Sequence, residues 1–424
     1  MKIIVGHPFK QHSFELATAL EKKEMLYAYC TTVYDKPGTV VFSAKKMLKG
    51  SNLKKANSRK CSKIPDEKIH IFAELRGLGV LATNRLSSFP NAVRVFQRSL
   101  YKVFGKKIAN YAIKENVDII VMYDSTATKC FEVLSKKLPS CTRVLDMSTC
   151  TRAYAKKIYE YDMELTGRDD FKTVQGYLWK KGTIEYLNRE LELTDYFVVA
   201  SEFVRKSLLY CGIKNEQIIK VPYGVDTSTF KYVEKSKESI KNAPLKMVFV
   251  GQVDYRKGIM HLFSAMKKFD VGDISLKLVG GYDSTSDLYK CGSEMENVEF
   301  LGFVTKDRLS EIYNEADVFV FPTLCEGFGL VVLEAMACGV PVICSENAGG
   351  NDTIIEGDNG FHIPACSVEA IEDKLNWCLN NRESLYNMRA KAYETSQIYT
   401  WDKYYEGIGG AFEFITRRKK DASI

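Results

Sequence analysis

Two glutamates, eight positions apart, are the side chains most suited to chemistry in this sequence. Glu326 begins the segment EGFG, and Glu334 is the one charged residue between Phe328 and Cys344. A carboxylate among apolar residues is costly unless a partner satisfies it. Either a basic residue elsewhere in the fold pairs with Glu334, or a ligand with several hydroxyl groups binds it. The surrounding pattern favours the ligand.

That pattern predicts a strand, a loop and a helix around both carboxylates. The strand is Val318–Phe321, and the helix begins near Gly329 and ends near Cys338. Gly327 and Gly329 allow a tight turn and a close approach of backbone to ligand. The free N–H groups and the dipole at the helix start favour an anion. The segment therefore predicts a pocket for an anionic ligand that also carries paired hydroxyl groups, such as those of a ribose.

Strand-like and helix-like segments alternate along the whole chain. Strands are predicted at Lys2–Val5, Asp118–Met122, Arg143–Asp146, Tyr196–Ala200, Lys246–Val250, Leu276–Val279, Val298–Leu301, Val318–Phe321 and Val340–Cys344. This alternation predicts an α/β protein with two Rossmann-like, doubly wound parallel sheets facing a central cleft. The first turn, VGHPFKQH, has one glycine where a dinucleotide fingerprint has three, so nicotinamide chemistry is disfavoured.

Composition excludes several other classes. The 424 residues are 46% hydrophobic, which is ample for sizeable cores. No apolar run reaches the roughly 20 residues of a membrane-spanning helix, and the opening residues do not have the pattern of a secretory signal. The twelve cysteines form no C-x-x-C pair, which argues against a zinc site and a disulfide framework. These features predict a cytoplasmic chain, either free or peripheral on the inner face of the membrane.

Positive charge is concentrated in two segments of the first half. Residues 43–63 contain eight basic residues and no acid: Lys45, Lys46, Lys49, Lys54, Lys55, Arg59, Lys60 and Lys63. A predicted helix carries a second group: Arg94, Arg98, Lys102, Lys106 and Lys107. Such groups attract anionic membranes or nucleic acid. Without a nucleic-acid-binding motif, we predict an anionic membrane surface as partner and no nucleic acid. The alternative is a solvated loop and an ordinary amphipathic helix.

Five segments together resemble the retaining glycosyltransferases of family 4, the glycosyl transferases group 1, which have the GT-B fold. The segments are PYGVDTSTF (222–230), FVGQVDYRKGI (249–259), FPTLCEGFGLVVLEAMACGVPVI (321–343), AGGNDTIIEGDNGFHIP (348–364) and WDKYYE (401–406). The resemblance implies an acceptor-side domain at 1–225, a linker at 226–245 and a nucleotide-sugar domain at 246–398. It also implies a final helix within 399–424 that returns to the first domain.

The resemblance also assigns roles to the two glutamates and their neighbours. Glu334 would hold the ribose, Glu326 the hydroxyls of the transferred sugar, and Lys257 the diphosphate. The family often has an arginine after the strand glycine, where this chain has Gln252. Arg256 would supply the missing positive charge. The alternative is that Arg256 is an ordinary surface residue in contact with solvent. The base would meet backbone near Phe303 and Val304. The residues implied to bind the nucleotide-sugar are Gly251, Gln252, Arg256, Lys257, Val304, Glu326, Gly327, Phe328, Gly329, Leu330, Val331 and Glu334, with catalytic roles for Glu326, Lys257 and Arg256.

On the acceptor side the match is looser. Gly6, His12, Thr149 and Thr151 are the residues implied there. His12 opens a helix, where a histidine is also a common capping or packing residue. Many relatives have a histidine after the strand at 143–146, and this chain has none. Ser148, Thr149, Thr151 or Arg152 would then substitute.

The resemblance implies a reaction class and leaves the substrates open. We expect transfer of a sugar from a nucleoside diphosphate to a glycan, polysaccharide or lipid-linked acceptor, with retention, as in the synthesis of cell-envelope glycans. The leaving diphosphate would accept the acceptor's proton. No carboxylate pair has the spacing of a metal clamp, so we expect neither a metal nor a cofactor. The alternatives are a small soluble acceptor and a non-catalytic relative that binds nucleotide-sugar or glycan.

Overall fold

Two parallel β-sheets, one in each half of the chain, organise the protein. The computed structural model describes residues 1–10, 12–83, 90–237 and 244–421. The first sheet has seven strands in the order β3-β2-β1-β4-β5-β6-β7, and the second has six in the order β10-β9-β8-β11-β12-β13. The predicted class, two doubly wound α/β sheets, is confirmed. Each sheet has a topological switch point, beside β1 and beside β8, where ligands bind in this architecture.

The strands are short apolar runs whose side chains are mostly buried. They are β1 Ile3–Gly6, β2 Leu26–Thr31, β3 Ile69–Ile71, β4 Ile119–Tyr123, β5 Thr142–Met147, β6 Tyr196–Val199, β7 Ile218–Lys220, β8 Leu245–Val250, β9 Ile274–Val279, β10 Val298–Gly302, β11 Val318–Phe321, β12 Val342–Ser345 and β13 Gly360–Ile363. Such continuous burial is expected of parallel strands that have helices on both faces.

The helices connect successive strands. In the first half they are α1 Ser13–Lys22, α2 Val40–Lys45, α3 Gly50–Asn57, α4 Glu74–Thr83, α5 Pro90–Lys114, α6 Thr128–Lys137, α7 Arg152–Thr166, α8 Asp170–Gln175, α9 Thr183–Glu192 and α10 Glu202–Tyr210. In the second half they are α11 Ile259–Met266, α12 Asp287–Ser293, α13 Lys306–Glu315, α14 Leu330–Ala337, α15 Val368–Asn380, α16 Arg382–Ile398 and α17 Trp401–Asp421. None of the described helices has both the length and the apolar character needed to cross a membrane.

Three predicted segments differ from the structure. The strand predicted at Val340–Cys344 begins at Val342, because Pro341 has no N–H to donate to the sheet. The basic segment 43–63, for which a solvated loop was the alternative, contains the end of α2 and all of α3. The predicted linker 226–245 overlaps the first residue of β8, and its residues 238–243 lie outside the described part of the chain.

The chain passes between the two sheets twice, and the two crossings lie side by side. The N–H of Val225 donates to the carbonyl of Tyr399 at 2.9 Å, and Val225 also forms a parallel bridge with Thr400. Beyond this point α17 packs against α1, where Lys22 Nζ lies 2.9 Å from Asp402 Oδ1. The boundaries at 225, 245 and 398 stay predictions.

The carboxyl-end loops of the two sheets are in direct contact. Ser201 Oγ, after β6, donates to the carbonyl of Gly327 at 2.6 Å. The N–H of Glu202 donates to Asp352 Oδ2 at 2.8 Å. A buried apolar cluster spans the same junction, with Cys150, Tyr159 and other residues from the first half against Leu324 and Cys325 from the second. The cleft is therefore closed in this structure.

Candidate active site

The loop between β11 and α14 holds the centre of the candidate site. β11 is fully buried and is followed by Pro322. Gly329 has a left-handed φ of 79° and precedes the first residue of α14, Leu330. This conformation is readily available to glycine and strained for other residues. The loop lies at the carboxyl end of β11, beside β8 and the switch point of the second sheet.

Glu326 accepts hydrogen bonds from both predicted cations. Lys257 Nζ donates to its Oε2, and Arg256 Nη1 donates to the same oxygen at 2.9 Å. Burial by itself raises the pKa of Glu326, but the charges of Lys257 and Arg256 outweigh it and hold that pKa below its usual value. Arg256 is therefore not an ordinary solvated charge, since it also donates to the carbonyl of Cys325 at 2.8 Å.

A short turn after β8 places Lys257 against this carboxylate. The N–H of Lys257 donates to Asp254 Oδ1 at 3.1 Å. Gly258 follows with a φ of 70°, and a methyl group there would lie 2.0 Å from the carbonyl oxygen of Pro322. Lys257 is buried, with 6% of its surface exposed, and burial lowers the pKa of its ammonium group even though Glu326 opposes the shift. The turn thus holds a cation in a largely dry position.

Positive charge reaches the same place from the first domain. Arg152, at the start of α7, lies 3.7 Å from Asp124. The positive charges of Arg152 and Arg256 both oppose the rise in the pKa of Tyr159 and Cys150, two residues that lie between the domains. Cations from both domains therefore converge where the two sheets meet, as the binding of a diphosphate would require.

Glu334 lies on α14 and is half-buried. No ion pair to Glu334 occurs among the described residues. Burial raises the pKa of its carboxyl to about 7, opposed by the charge of Lys306 and by a hydrogen bond from Tyr313. Of the two explanations offered by the sequence, pairing with a basic residue is therefore not seen. The carboxylate keeps acceptor capacity for a ligand.

The remaining predicted nucleotide-sugar residues line the ends of β8, β9 and β10. Gly251 directly follows β8 and has a φ of 149°, and Gln252 after it is exposed. A methyl group on Gly281 would lie 2.8 Å from both Gln252 Oε1 and the Phe303 ring. Phe303 is 85% exposed, and Val304 beside it is half-buried. An exposed aromatic ring thus lies where the sequence predicts the base.

The first domain covers the predicted backbone contacts around Gly327. A methyl group on this residue would lie 1.9 Å from the carbonyl oxygen of Ser148. Phe328 packs edge-on against Tyr223, with ring centroids 5.3 Å apart. Leu330 and Val331 pack against the apolar core of the second domain. The loop therefore contacts both domains in the closed arrangement.

The predicted acceptor-side residues separate into two groups. His12 Nε2 lies 3.1 Å from Asp146 Oδ1, and its ring packs between Tyr123 and Tyr223. Its side chain makes no capping bond to a described residue, so His12 is not a cap. Thr149 Oγ1 lies 3.4 Å from Asp124 Oδ2. Both residues contact acidic side chains at the carboxyl ends of β4 and β5.

The other two predicted acceptor residues serve the fold. The hydroxyl of Thr151 is buried, donates to the carbonyl of Ser207 at 3.1 Å and caps α7, so it is not available to a ligand. Gly6 is required because Ile108 and Met122 approach it so closely that a methyl group would lie within 2.8 Å of both. The family resemblance suggested a site at both positions, but local packing explains the residue types.

Sequence reasoning missed the polar residues that hold the cleft together. Asp124 accepts from the N–H of Ser148 at 2.9 Å and fixes the loop that lacks the family's histidine. Ser201 binds Gly327, as described above. Each follows a buried strand, β4 or β6, at the carboxyl edge of the first sheet. That placement is the signal that could have identified them.

One cluster of buried residues has metal-ligand chemistry. Ligand atoms of Asp162, His261 and Cys366 all lie within 4.8 Å of one another. His261 Nε2 lies 2.7 Å from Asp162 Oδ1, which is the distance of a direct hydrogen bond. We interpret the cluster as a buried polar contact that joins α7 of the first domain to α11 of the second.

Comparison with known proteins finds a family match in the second half of the chain. The family model described as glycosyl transferases group 1 matches residues 231–395. The sulfoquinovosyl transferase of Arabidopsis thaliana is 33% identical over 51% of this chain and 44% of its own length. The capsular polysaccharide biosynthesis glycosyltransferase CapM of Staphylococcus aureus is 28% identical over 55% of this chain and 66% of its own. The chain spans about half the length of the curated relatives it matches.

Solved structures extend the likeness to the whole fold. HepE of Anabaena, crystallised in complex with UDP, superposes with a TM-score of 0.63 at 15% identity, covering 97% of this chain and 99% of that one. Such a likeness establishes the two-domain GT-B architecture. Residues 231–395 thus match the model of the glycosyl transferases group 1, which is the family that the sequence motifs resemble.

Proposed function

We propose that the protein transfers a sugar from a nucleoside diphosphate to a glycan, polysaccharide or lipid-linked acceptor, with retention and without a metal ion. The observation that carries the proposal is the grouping of Glu326, Lys257 and Arg256 at the switch point of the second sheet. Glu334, on the helix that follows, keeps acceptor capacity. The names of CapM and of the HepE complex with UDP support the choice of acceptor class and donor class.

Donor binding requires an exchange of partners in this site. Lys257 and Arg256 neutralise Glu326 in the closed structure. Phosphate oxygens bind the same cations, and an arginine can bind them in a bidentate manner. The diphosphate therefore competes for both cations and frees Glu326 to accept hydrogen bonds from sugar hydroxyls. Glu334 accepts from the ribose, and Phe303 offers a ring for the base to stack on.

The same cations serve the chemical step. When the bond between sugar and diphosphate breaks, negative charge grows on the leaving phosphate. Lys257 and Arg256 meet that charge from a largely dry position, where a fixed cation stabilises it more strongly than water does. In the proposed retaining reaction, the acceptor oxygen attacks the same face and its proton passes to the leaving diphosphate. The closed loops around Gly327 exclude water from this step.

The acceptor is proposed to arrive along helices α2 to α5 of the first domain, called here the cationic layer. These helices are joined to one another: the N–H of Val40 donates to Glu74 at 2.9 Å, and Arg76 donates to Ser99 at 3.1 Å. Large apolar side chains on the layer are exposed: Val40, Phe42, Met47, Leu75, Val95 and Phe96. Apolar groups among lysines and arginines suit an anionic membrane surface, from which a lipid-linked acceptor would be taken.

A thermal-shift comparison of nucleosides, nucleoside diphosphates and nucleotide-sugars tests the donor site. A ligand at a hundred times its dissociation constant stabilises a protein by about 2.7 kcal/mol, which visibly raises the melting temperature. We expect one nucleoside diphosphate to raise it selectively. Lys257→Ala should reduce the shift with the diphosphate more than the shift with the nucleoside.

Lys267→Ala, at an exposed position just after α11, is the matched control and should leave both shifts unchanged. Equal loss of both shifts in Lys257→Ala would place this lysine away from the diphosphate. No shift with any nucleotide in a folded wild-type protein would instead support a non-catalytic relative.

A further inference from the structure

Two cysteines from different domains meet beside the candidate site. Cys150 follows β5 in the first domain, and Cys325 directly precedes Glu326 in the second. Their sulfur atoms lie 2.7 Å apart, although the residues are 175 positions apart in the chain. Both are free thiols and both are buried. A disulfide has a sulfur–sulfur distance of about 2.0 Å, so closing the remaining gap requires little movement.

We propose that Cys150 and Cys325 form an oxidative modification site, at which a peroxide joins the two domains through a reversible disulfide. The position of the two cysteines beside the candidate site determines what their disulfide would do to the protein. Cys325 is covalently next to the carboxylate that binds the sugar, and its carbonyl accepts from Arg256. A bond to Cys150 would fix this loop against the loop that follows β5 and hold the cleft closed.

Charge around the pair favours its oxidation. The hydrogen bond from Cys150 lowers the pKa of the Cys325 thiol, and the nearby Arg256 and Arg152 act in the same direction. Thiolates, not thiols, react with peroxides, so a thiol next to two guanidinium groups is the more reactive partner. Cys150, whose pKa is raised by the same hydrogen bond, then suits the resolving role.

The reaction balances in two steps. While the two sulfur atoms are in contact, the Cys325 thiolate attacks one peroxide oxygen; the O–O bond breaks, and the departing hydroxide takes a proton to give water. This leaves a sulfenic acid on Cys325. The sulfur of Cys150 then attacks that of Cys325, the S–O bond breaks, and the departing hydroxide takes the proton of Cys150. The two thiols lose two electrons in total, and the peroxide gains them.

The disulfide between Cys150 and Cys325, called the lock below, should block the exchange of bound nucleotide. This consequence rests on the proposed function. The loop that would contact the donor is covered by Ser148 and bonded to Ser201 in the closed arrangement. A covalent bond across this junction prevents the domains from separating. The oxidised protein should therefore lose the thermal shift that a nucleoside diphosphate produces in the reduced protein, with at least about a tenfold loss of apparent affinity, and dithiothreitol should restore it.

The experiment treats the full chain with hydrogen peroxide and maps its disulfides by peptide mass spectrometry under non-reducing conditions. We expect a linked peptide pair containing Cys150 and Cys325, and its disappearance on reduction. Cys150→Ser should keep nucleotide binding in peroxide. Cys211→Ser, a half-buried cysteine that donates to Thr151 at 3.3 Å, is the matched control and should still lock. The comparison of reduced and oxidised wild-type protein needs no variant.

The outcomes separate this proposal from the function on which it rests. Peroxide treatment that leaves Cys150 and Cys325 unlinked overturns the modification site. A linked protein that binds nucleotide as well as the reduced one overturns the lock. If the reduced protein binds no nucleotide, the proposed function fails. Peptide mapping, together with the loss of domain opening in X-ray scattering after oxidation, then still decides whether the lock exists.

Discussion

At the scale of single residues, Glu326 has two roles that one substitution can separate. Glu326→Gln removes the charge that neutralises Lys257 and Arg256 while keeping the size of the side chain. We expect transfer to fall by roughly a hundredfold or more, because the site loses its anionic acceptor for the sugar hydroxyls. Binding of a nucleoside diphosphate should be kept or improved, because the carboxylate no longer competes for the cations.

Initial-rate kinetics and calorimetric titration measure these two effects. Glu383→Gln, at a side chain that is 73% exposed, is the matched control and should change neither. Near-normal turnover in Glu326→Gln would remove Glu326 from the reaction. A parallel loss of diphosphate binding would contradict the proposed exchange of partners.

Glu334 makes a separate prediction about pH and stability. Burial raises the pKa of its carboxyl from 4.5 to about 7, so between these values the folded chain holds a proton that the unfolded chain has lost. Its contribution to the free energy of unfolding therefore falls as pH rises through this window, by about 3 kcal/mol in total. Glu334→Gln has no such proton to lose. It should melt at nearly the wild-type temperature near pH 5 and at a higher temperature near pH 8.

Melting curves across this range check the prediction in the absence of ligand. Glu383→Gln, at an exposed position, again serves as the control. A difference between Glu334→Gln and wild type that does not change with pH would show that the Glu334 carboxyl titrates at its ordinary value.

At the scale of elements, Gly327 joins the donor loop to the loop that follows β5. A methyl group on this residue would lie 1.9 Å from the carbonyl oxygen of Ser148, so Gly327→Ala must push the two loops apart. We expect a larger radius of gyration in X-ray scattering and a lower melting temperature. Gly272→Ala, with nothing within 4 Å of the added methyl group, is the matched control. An unchanged radius in Gly327→Ala would show that this contact does not hold the cleft closed.

The sequence predicts the elements that carry strong apolar runs and predicts less where they are short. β11 matches its predicted bounds because four consecutive apolar residues are buried on both faces of the sheet. β3 has three residues, Ile69–Ile71, and includes a histidine, so periodicity has too little length to reveal it. The helices α2 and α3 are short and have few buried residues, which is typical of loops as well.

In the candidate site, too, some residues could be predicted from the sequence and others could not. Glu326, Lys257 and Arg256 belong to motifs whose spacing is local, and the structure brings them together. Contacts between the domains leave no local pattern, so the partners of Ser201, Asp162 and Cys150 could not be found from the chain alone. Thr151 was placed on the acceptor side because related proteins have a histidine in this loop for which it could substitute, but a buried cap has the same sequence position.

At the scale of the whole molecule, the cationic layer predicts attachment to membranes. The protein should sediment with vesicles rich in anionic lipid at low salt. Phe96→Glu, at a side chain that is 58% exposed, should reduce the bound fraction by about tenfold, because burial of one phenylalanine contributes about 1.5–3 kcal/mol. Val271→Glu, 53% exposed on the second domain, is the matched control. Full recovery of wild type in the supernatant would contradict the membrane partner.

The return of α17 to α1 also has a consequence for biosynthesis. A domain usually folds as a unit while its chain emerges from the ribosome, with the earlier domain first. Here the surface of Ser13–Lys22 is completed by Trp401–Asp421, which is translated after the entire second sheet. The second domain can therefore reach its native state on the ribosome while the first still exposes apolar surface. During that interval the earlier half of the chain is the half that depends on chaperones.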